Sequence, residues 1–184
     1  WQPSVEQIQG SQMFEFKEFI NDRHGLNLEN YHDLHDWSVN RIPEFWDSAW
    51  SFFNILHSQP YTQVVDDVSK MPGAIWFDGT RLNFAENLLR RRDDKTAIVF
   101  MGEGQQVRKL TYNELYSAVV KTAHALKELG VNKGDRIAGF VPNMPESIIA
   151  MLATTAIGAI WSSSSPDFGI KGVLDRFSQI EPKV

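Results

Sequence analysis

The residues best placed to do chemistry are the hydroxyls and carboxylate of the run Ser162-Ser163-Ser164-Ser165-Pro166-Asp167-Phe168-Gly169. The run follows a short apolar stretch, Ala159 to Ser162, that reads as a buried strand, and it precedes a helical pattern. That places it at the carboxyl end of a strand, where open α/β sheets bind their ligands. Hydroxyls and free N–H groups at the start of a helix can hold an anionic or amide-bearing ligand. A capped turn, with Ser165 as N-cap and Pro166 at the first helical position, accounts for the same residues and is compatible with a ligand there. The run is not a phosphate-cradling P-loop, because the G-x-x-x-x-G-K-[ST] spacing is absent.

Other candidates are weaker. Gly102-x-Gly104 lacks the third glycine of a dinucleotide fingerprint and lies between two extended runs, so it reads as a hairpin turn. His32 and His35 could share a helix face with Asp36, but a metal would need a further ligand, and a solvated or capping role is the simpler reading. His57 has no evident acid partner, and Asp78-Gly79 is a turn signal. No nucleophile–base pair can be assembled. With no cysteine, disulfides, thiolate catalysis and zinc–thiolate sites are excluded.

The elements that must position the serine-rich run form two dissimilar halves. Residues 1 to about 75 are helical in period and hold most of the six Trp. Met13, Phe14, Phe16, Lys17 and Ile20 fit a short amphipathic helix. After Pro43, the residues Phe45, Trp46, Ala49, Trp50 and Phe53 form one wide apolar face. Such a stripe could meet a membrane or a partner; core packing on the second half is the expectation, since exposed patches of that size are rare.

The second half, residues 76–184, alternates strand and helix. Asn83 and Glu86 predict a capped helix with Phe84, Leu88 and Leu89 inward. Thr96 to Met101 and Gln106 to Leu110 predict a strand and its return. Thr111 and Glu114 form a T-x-x-E capping box before a helix carrying Leu115, Val119, Thr122, Leu126 and Leu129, closed by Gly130. A strand RIAGFV follows. Asn143 and Glu146 form an N-x-x-E box for a helix with a small face of Ala150, Ala153 and Ala156. After the serine-rich run, a helix carries Ile170, Val173, Leu174 and Phe177, Pro182 breaks it, and Lys183-Val184 reads as the first step of another strand. The β-α-β-α-β order predicts an α/β fold with a parallel sheet still being built at Val184, hence an expectation of further chain downstream.

Composition narrows the partners. A net charge of −5 and the absence of a basic cluster argue against nucleic acid, since Arg90-Arg91-Arg92 is followed at once by Asp93-Asp94. The most apolar run, Ile148 to Trp161, is shorter than the ~20 residues that span a bilayer, so no membrane partner is expected. The chain opens on Trp1 with no basic leader, and a soluble protein of a reducing, cytoplasmic setting is expected.

Longer strings carry a family resemblance. LHDWSVNRIPEFWDSAWSFFNI (34–55), WFDGTRLNFAENLLRR (76–91), LTYNEL (110–115) and the whole of 129–184 resemble the amino-terminal region of adenylate-forming acyl-CoA synthetases. LTYNEL and GVNKGDRIAGFVPN match segments shared by many such ligases. WSSSSPDFGIKGVLDRFSQIEPK resembles the acetoacetate-using branch, whereas acetate-using relatives carry Gly-Gly-Phe in that loop. The resemblance covers nearly the whole chain, most weakly in residues 1–30. It implies an aromatic-rich helical segment (1–75) packed on the incomplete first part of a large AMP-binding domain (76–184).

The resemblance also implies a two-step reaction. A carboxylate attacks the α-phosphorus of ATP, giving an acyl-adenylate and pyrophosphate, and the thiol of coenzyme A then displaces AMP. Mg2+ offsets phosphate charge, and a Lys from a mobile carboxyl-terminal domain stabilises the first transition state. The motifs for ATP in this family lie beyond the equivalent of Val184, so the rest of its own chain is an implied partner. By the same resemblance, Ser165, Pro166, Asp167 and Phe168 lie on the coenzyme A side, with Trp161 shaping that wall. The departure from Gly-Gly puts side chains where bare backbone would leave space. Alternatives are a ligase for acetate or propionate, or a binding domain that kept the fold without catalysis. An exposed sheet edge near the end of the chain is expected to favour self-association.

Overall fold

The computed structural model describes residues 2–104 and 106–184, which divide into two compact units, Trp1–Leu82 and Asn83–Val184. The first unit opens with four helices, α1 (Val5–Gln9), α2 (Gln12–His24), α3 (Tyr31–Asn40) and α4 (Ile42–Phe52). Each start follows from a short polar residue or a proline. Ser4 and Asn30 close capping boxes with Gln7 and Asp33, Ser11 caps α2, and Pro43 sits in the first turn of α4. The helices bury Phe16, Ile20, Leu34 and Ala49, with Phe19, Leu28, Trp37, Phe45 and Phe52 packed around them. Phe16 meets Phe45 edge-on at 5.7 Å and Phe52 at 5.0 Å. A two-stranded antiparallel ribbon follows, β1 (Gln63–Val65) with β2 (Trp76–Asp78). The apolar face of α4 is shared out. Ala49 enters the helical core, while Trp50 turns to the ribbon and meets Tyr61 at 5.1 Å and Phe77 at 4.9 Å.

The second unit begins with α5 (Phe84–Leu88), capped by Asn83, whose Oδ1 accepts from Glu86 N at 3.0 Å. Its burial differs in part from the expectation: Leu89 is buried as expected and Ala85 is buried beside it, whereas Phe84 and Leu88 are exposed. Asn83 Nδ2 donates to the carbonyls of Thr155 and Ala156, which fixes which side of this one-turn helix faces the core. β3 (Thr96–Phe100) and β4 (Arg108–Thr111) form an antiparallel hairpin. Thr111 and Glu114 make the expected capping box of α6 (Tyr112–Glu128), which buries Leu115, Val119 and Leu126. Leu129 is exposed, because it lies past the last full turn as the C-cap.

β5 (Arg136–Phe140), α7 (Pro145–Ala156) and β6 (Ile160–Ser164) form one right-sized crossover unit, and β5 and β6 pair in parallel from Arg136↔Ile160 to Phe140↔Ser164. Among the described residues this is the one parallel pair; the hairpin and the ribbon form sheets of their own. The N-x-x-E box does not form. Met144 is the N-cap and Pro145 opens α7, since proline's fixed φ and missing N–H suit the first helical position. Glu146 pairs instead with Arg108 on β4 at 2.6 Å. Of the small face, Ala153 is buried and Ala156 is exposed. A 3-10 turn, Pro166–Phe168, and α8 (Gly169–Ile180) complete the unit. After Pro182, Lys183 N donates to Arg136 O at 2.8 Å, and Ala138 N donates to Val184 O at 2.9 Å. The chain thus returns beside β5 on the edge away from β6. The core joins Ala85, Leu89, Leu115, Val119, Leu126, Val131, Ile137, Leu152, Ala153 and Ala159.

Candidate functional site

The serine-rich run is divided by the fold. Ser162, Ser163 and Ser164 belong to β6 and not to a loop, because the ladder with Ala138, Gly139 and Phe140 outweighs the weak strand preference of serine. Only Ser165 to Phe168 leave the sheet. Ser165 caps the 3-10 turn: its Oγ accepts from Asp167 N at 3.4 Å and donates to Asp167 Oδ2 at 2.8 Å. Pro166 follows at the first position of that turn. Phe168 is about half exposed, and the guanidinium of Arg176 lies 3.8 Å over its ring. The four residues singled out in the sequence therefore stand together as one braced turn.

Topology makes this turn a crevice wall. The connection from β5 runs through α7 to β6 on one side. The connection from β6 runs through α8 back to the opposite edge of β5. Right-handed crossovers in opposite directions place their helices on opposite faces of the sheet. The loops after β5 (141–144) and β6 (165–168) thus diverge at adjacent carboxyl ends, the arrangement in which open α/β sheets leave room for a ligand.

Two features of this end were not visible as site signals in the sequence. Ser164 is 4% exposed, and its Oγ has no hydrogen-bond partner among the described residues. Its register partner Phe140 is exposed, and so is Phe168 in the turn that follows β6. Gly139 permits the second feature. A Cβ there would lie 2.4 Å from Trp161 Cη2, so the indole packs directly on bare backbone. Trp161 lies with the aliphatic core around Ile137. A glycine inside a strand pattern is the signal that could have found this contact.

Charge is managed at the other end of β5. Lys183 Nζ donates to Asp135 Oδ2 at 2.7 Å and to Gly130 O at 2.6 Å. The Lys183 ammonium, with a bond from Asn132 N, holds the Asp135 carboxyl below the ordinary carboxylate range. Arg108 does the same for Glu146 at the start of α7. Both pairs are substantially exposed, so solvent and salt screen them.

The other candidates have local partners. His35 Nδ1 lies 3.4 Å from Asp36 Oδ1, His32 N donates to the α3 cap Asn30, and His57 Nδ1 is 2.8 Å from Ile55 O. No three His, Asp or Glu side chains cluster as a metal site among the described residues. Among them, too, no helix is long and apolar enough to cross a membrane.

Comparison with known proteins fits this geometry. The family model described as "AMP-binding enzyme" matches residues 84–184, the whole of the second unit but its first residue. The chain belongs to the AMP-binding enzyme family. A model for the acetyl-coenzyme A synthetase N-terminus matches residues 31–88. Within this AMP-binding family, an acetoacetyl-CoA synthetase of Xenopus tropicalis is 45% identical over the full chain, which spans 28% of that relative. A malonamoyl-CoA synthetase of Penicillium aethiopicum is 39% identical over 95% of the chain and 25% of its own length. The solved acetoacetyl-CoA synthetase of Streptomyces lividans superimposes with a TM-score of 0.90 and 40% identity, covering 99% of this chain and 29% of that one. The chain thus spans little more than a quarter of the relatives it matches.

Proposed function

We propose that this chain is the amino-terminal part of an AMP-forming acid–thiol ligase that activates acetoacetate as its adenylate and passes the acyl group to coenzyme A. The observation that carries the reading is the end-to-end match with acetoacetyl-CoA synthetases, in sequence and in backbone. In this reading ATP, with Mg2+, supplies the adenylyl group and coenzyme A supplies the attacking thiol. No residue of this chain is assigned to ATP or to the cation.

Ser165, Pro166, Asp167 and Phe168 are proposed to border the coenzyme's pantetheine arm. The residues present suit such a group. An amide-bearing arm is neutral, polar and flexible, and it would meet a neutral hydroxyl at Ser164 and the exposed rings of Phe140 and Phe168. A charged group would find no compensating partner at Ser164, since burial without pairing penalises charge most. The Ser165–Asp167 bond holds the turn before ligand arrives, so less ordering is left to binding.

A second reading has its own support. Malonamate and acetoacetate both carry a carbonyl β to the carboxylate, and differ by an amino group in place of a methyl. The similarity to a malonamoyl-CoA synthetase favours this acid class over simple acetate or propionate. A cytoplasmic setting and self-association through an unpaired strand edge belong to the same proposal. The test is AMP release by the complete enzyme with coenzyme A and each acid in turn. Acetoacetate should give the highest kcat/KM; a clear preference for acetate would overturn the assignment, and turnover of none would favour a non-catalytic role. Residues 1–184 alone should show no ATP–pyrophosphate exchange.

A further inference from the structure

We infer that Arg176 is a positioning residue for coenzyme binding: it fixes the Phe168 ring at the crevice by stacking on it across Gly172. The inference rests on the proposed coenzyme-side role of the 165–168 turn. Phe168, Gly172 and Arg176 recur at every fourth position, so they form one row along the start of α8. Side chains on a helix lean toward its amino terminus, which carries the long Arg176 side chain back over Gly172 toward the ring. Its guanidinium carbon lies 3.8 Å from the Phe168 centroid, and Arg176 has no ion pair among the described residues. Gly172 makes the reach possible. A Cβ there would lie 3.3 Å from Phe168 Cβ and 3.6 Å from Arg176 Nη1.

The arrangement solves a particular problem. Phe168 is about half exposed and belongs to a three-residue turn, too short to hold a ring by burial. Asp167 is fixed by Ser165, but that bond leaves the Phe168 side chain free to rotate. A cation over one ring face supplies the missing restraint and does not itself cover the other face. Lysine would be a poorer substitute, because its point charge lacks the planar surface that stacks on a ring.

The test uses the complete enzyme and compares the KM for coenzyme A with kcat. Arg176→Ala should raise that KM about two- to fivefold, the range expected for an exposed cation–π contact. Arg176→Lys should fall between the two. Gly172→Ala should raise the same KM, because the added Cβ lies 3.3 Å from Phe168 Cβ and 3.6 Å from Arg176 Nη1. A change in this KM with kcat retained, and its partial rescue by lysine, are what a purely structural role would not produce. In a Phe168→Leu background, Arg176→Ala should add nothing. An unchanged KM in Arg176→Ala, an equal loss in the adenylate-forming step, or a full effect of Arg176→Ala without the Phe168 ring would each overturn the inference. If Phe168→Leu itself leaves the KM for coenzyme A unchanged in an active ligase, the coenzyme-side reading fails as well.

Discussion

The two units hold themselves together by different means. In Trp1–Leu82 the core is a set of aromatic rings packed between short helices, with Phe16 in contact with both Phe45 and Phe52 and Trp50 joined to Tyr61 and Phe77. In Asn83–Val184 the core is aliphatic, and backbone constraints decide the fine structure. The first unit also keeps an apolar groove of about 400 Å3 lined by Phe16, Leu34, Phe45, Trp46 and Phe53. The polar chemistry described above belongs to the second, at the ends of two paired strands. Large rings packed at several angles leave slack that a parallel ladder does not. A unit of the first kind tolerates change at its margin, whereas a unit of the second kind transmits a single added methyl group into its site.

The contrast can be broken, and the largest effects are expected in the buried centres. Ile20→Ala in the first unit removes a fully buried side chain and should cost about 2–5 kcal/mol in denaturant unfolding. Trp46→Ala, at a residue 45% exposed in the same unit, should cost clearly less. Equal costs would show that the groove is as tightly packed as the core. Gly139→Ala in the second unit should cost about 1–3 kcal/mol by overpacking, although it adds only one methyl group, because the new Cβ meets the Trp161 indole and not a mobile chain end. A neutral Gly139→Ala would remove the claim that this unit lacks slack.

Smaller effects sharpen the picture. Ser164→Ala deletes a buried hydroxyl with no partner among the described residues, and should raise stability by about 1 kcal/mol in the unliganded enzyme. A drop of that size would mean that the hydroxyl is satisfied in the native protein. The mildest test is by pH. Burial, then the hydrogen bond to Asp47, pushes the Tyr61 phenol from 10.0 up to about 12. Its folded pKa lies above the unfolded one, so its contribution is complete below pH 10.0 and is lost as pH rises toward about 12. Tyr61→Phe should flatten the alkaline limb of the stability profile. Asp66 has the opposite sign. Its bond from Lys70 lowers it from 3.8 to about 2, so its contribution is present above 3.8 and fades as pH falls toward about 2.

Local signals in the sequence were legible where nothing distant could override them. The Thr111–Glu114 box, the Asn83 cap and the Ser165–Pro166 turn all follow from residues within three positions of one another. The Asn143 cap was not legible, because the competing start at Pro145 is set by proline's own geometry. Burial was the least legible. Phe84, Leu88 and Leu129 are apolar and exposed, while Ala85 is fully buried, since the face that a short helix presents is chosen by its anchor and not by its own hydropathy. The extent of β6 was set by its partner strand. The candidate turn was visible as chemistry, but its supports, Arg176 through Gly172 and Trp161 on Gly139, come together only when α8 and β5 are in place.

The contact between Trp161 and Gly139 gives the second unit its own optical reporter. Of the six tryptophans, Trp161 alone lies after residue 82, and it sits within the strand that leads into the candidate turn. In a complete enzyme in which every other tryptophan is replaced by phenylalanine, its emission would follow the joining of β5 and β6 during refolding, and would be the natural signal to watch when coenzyme A is added.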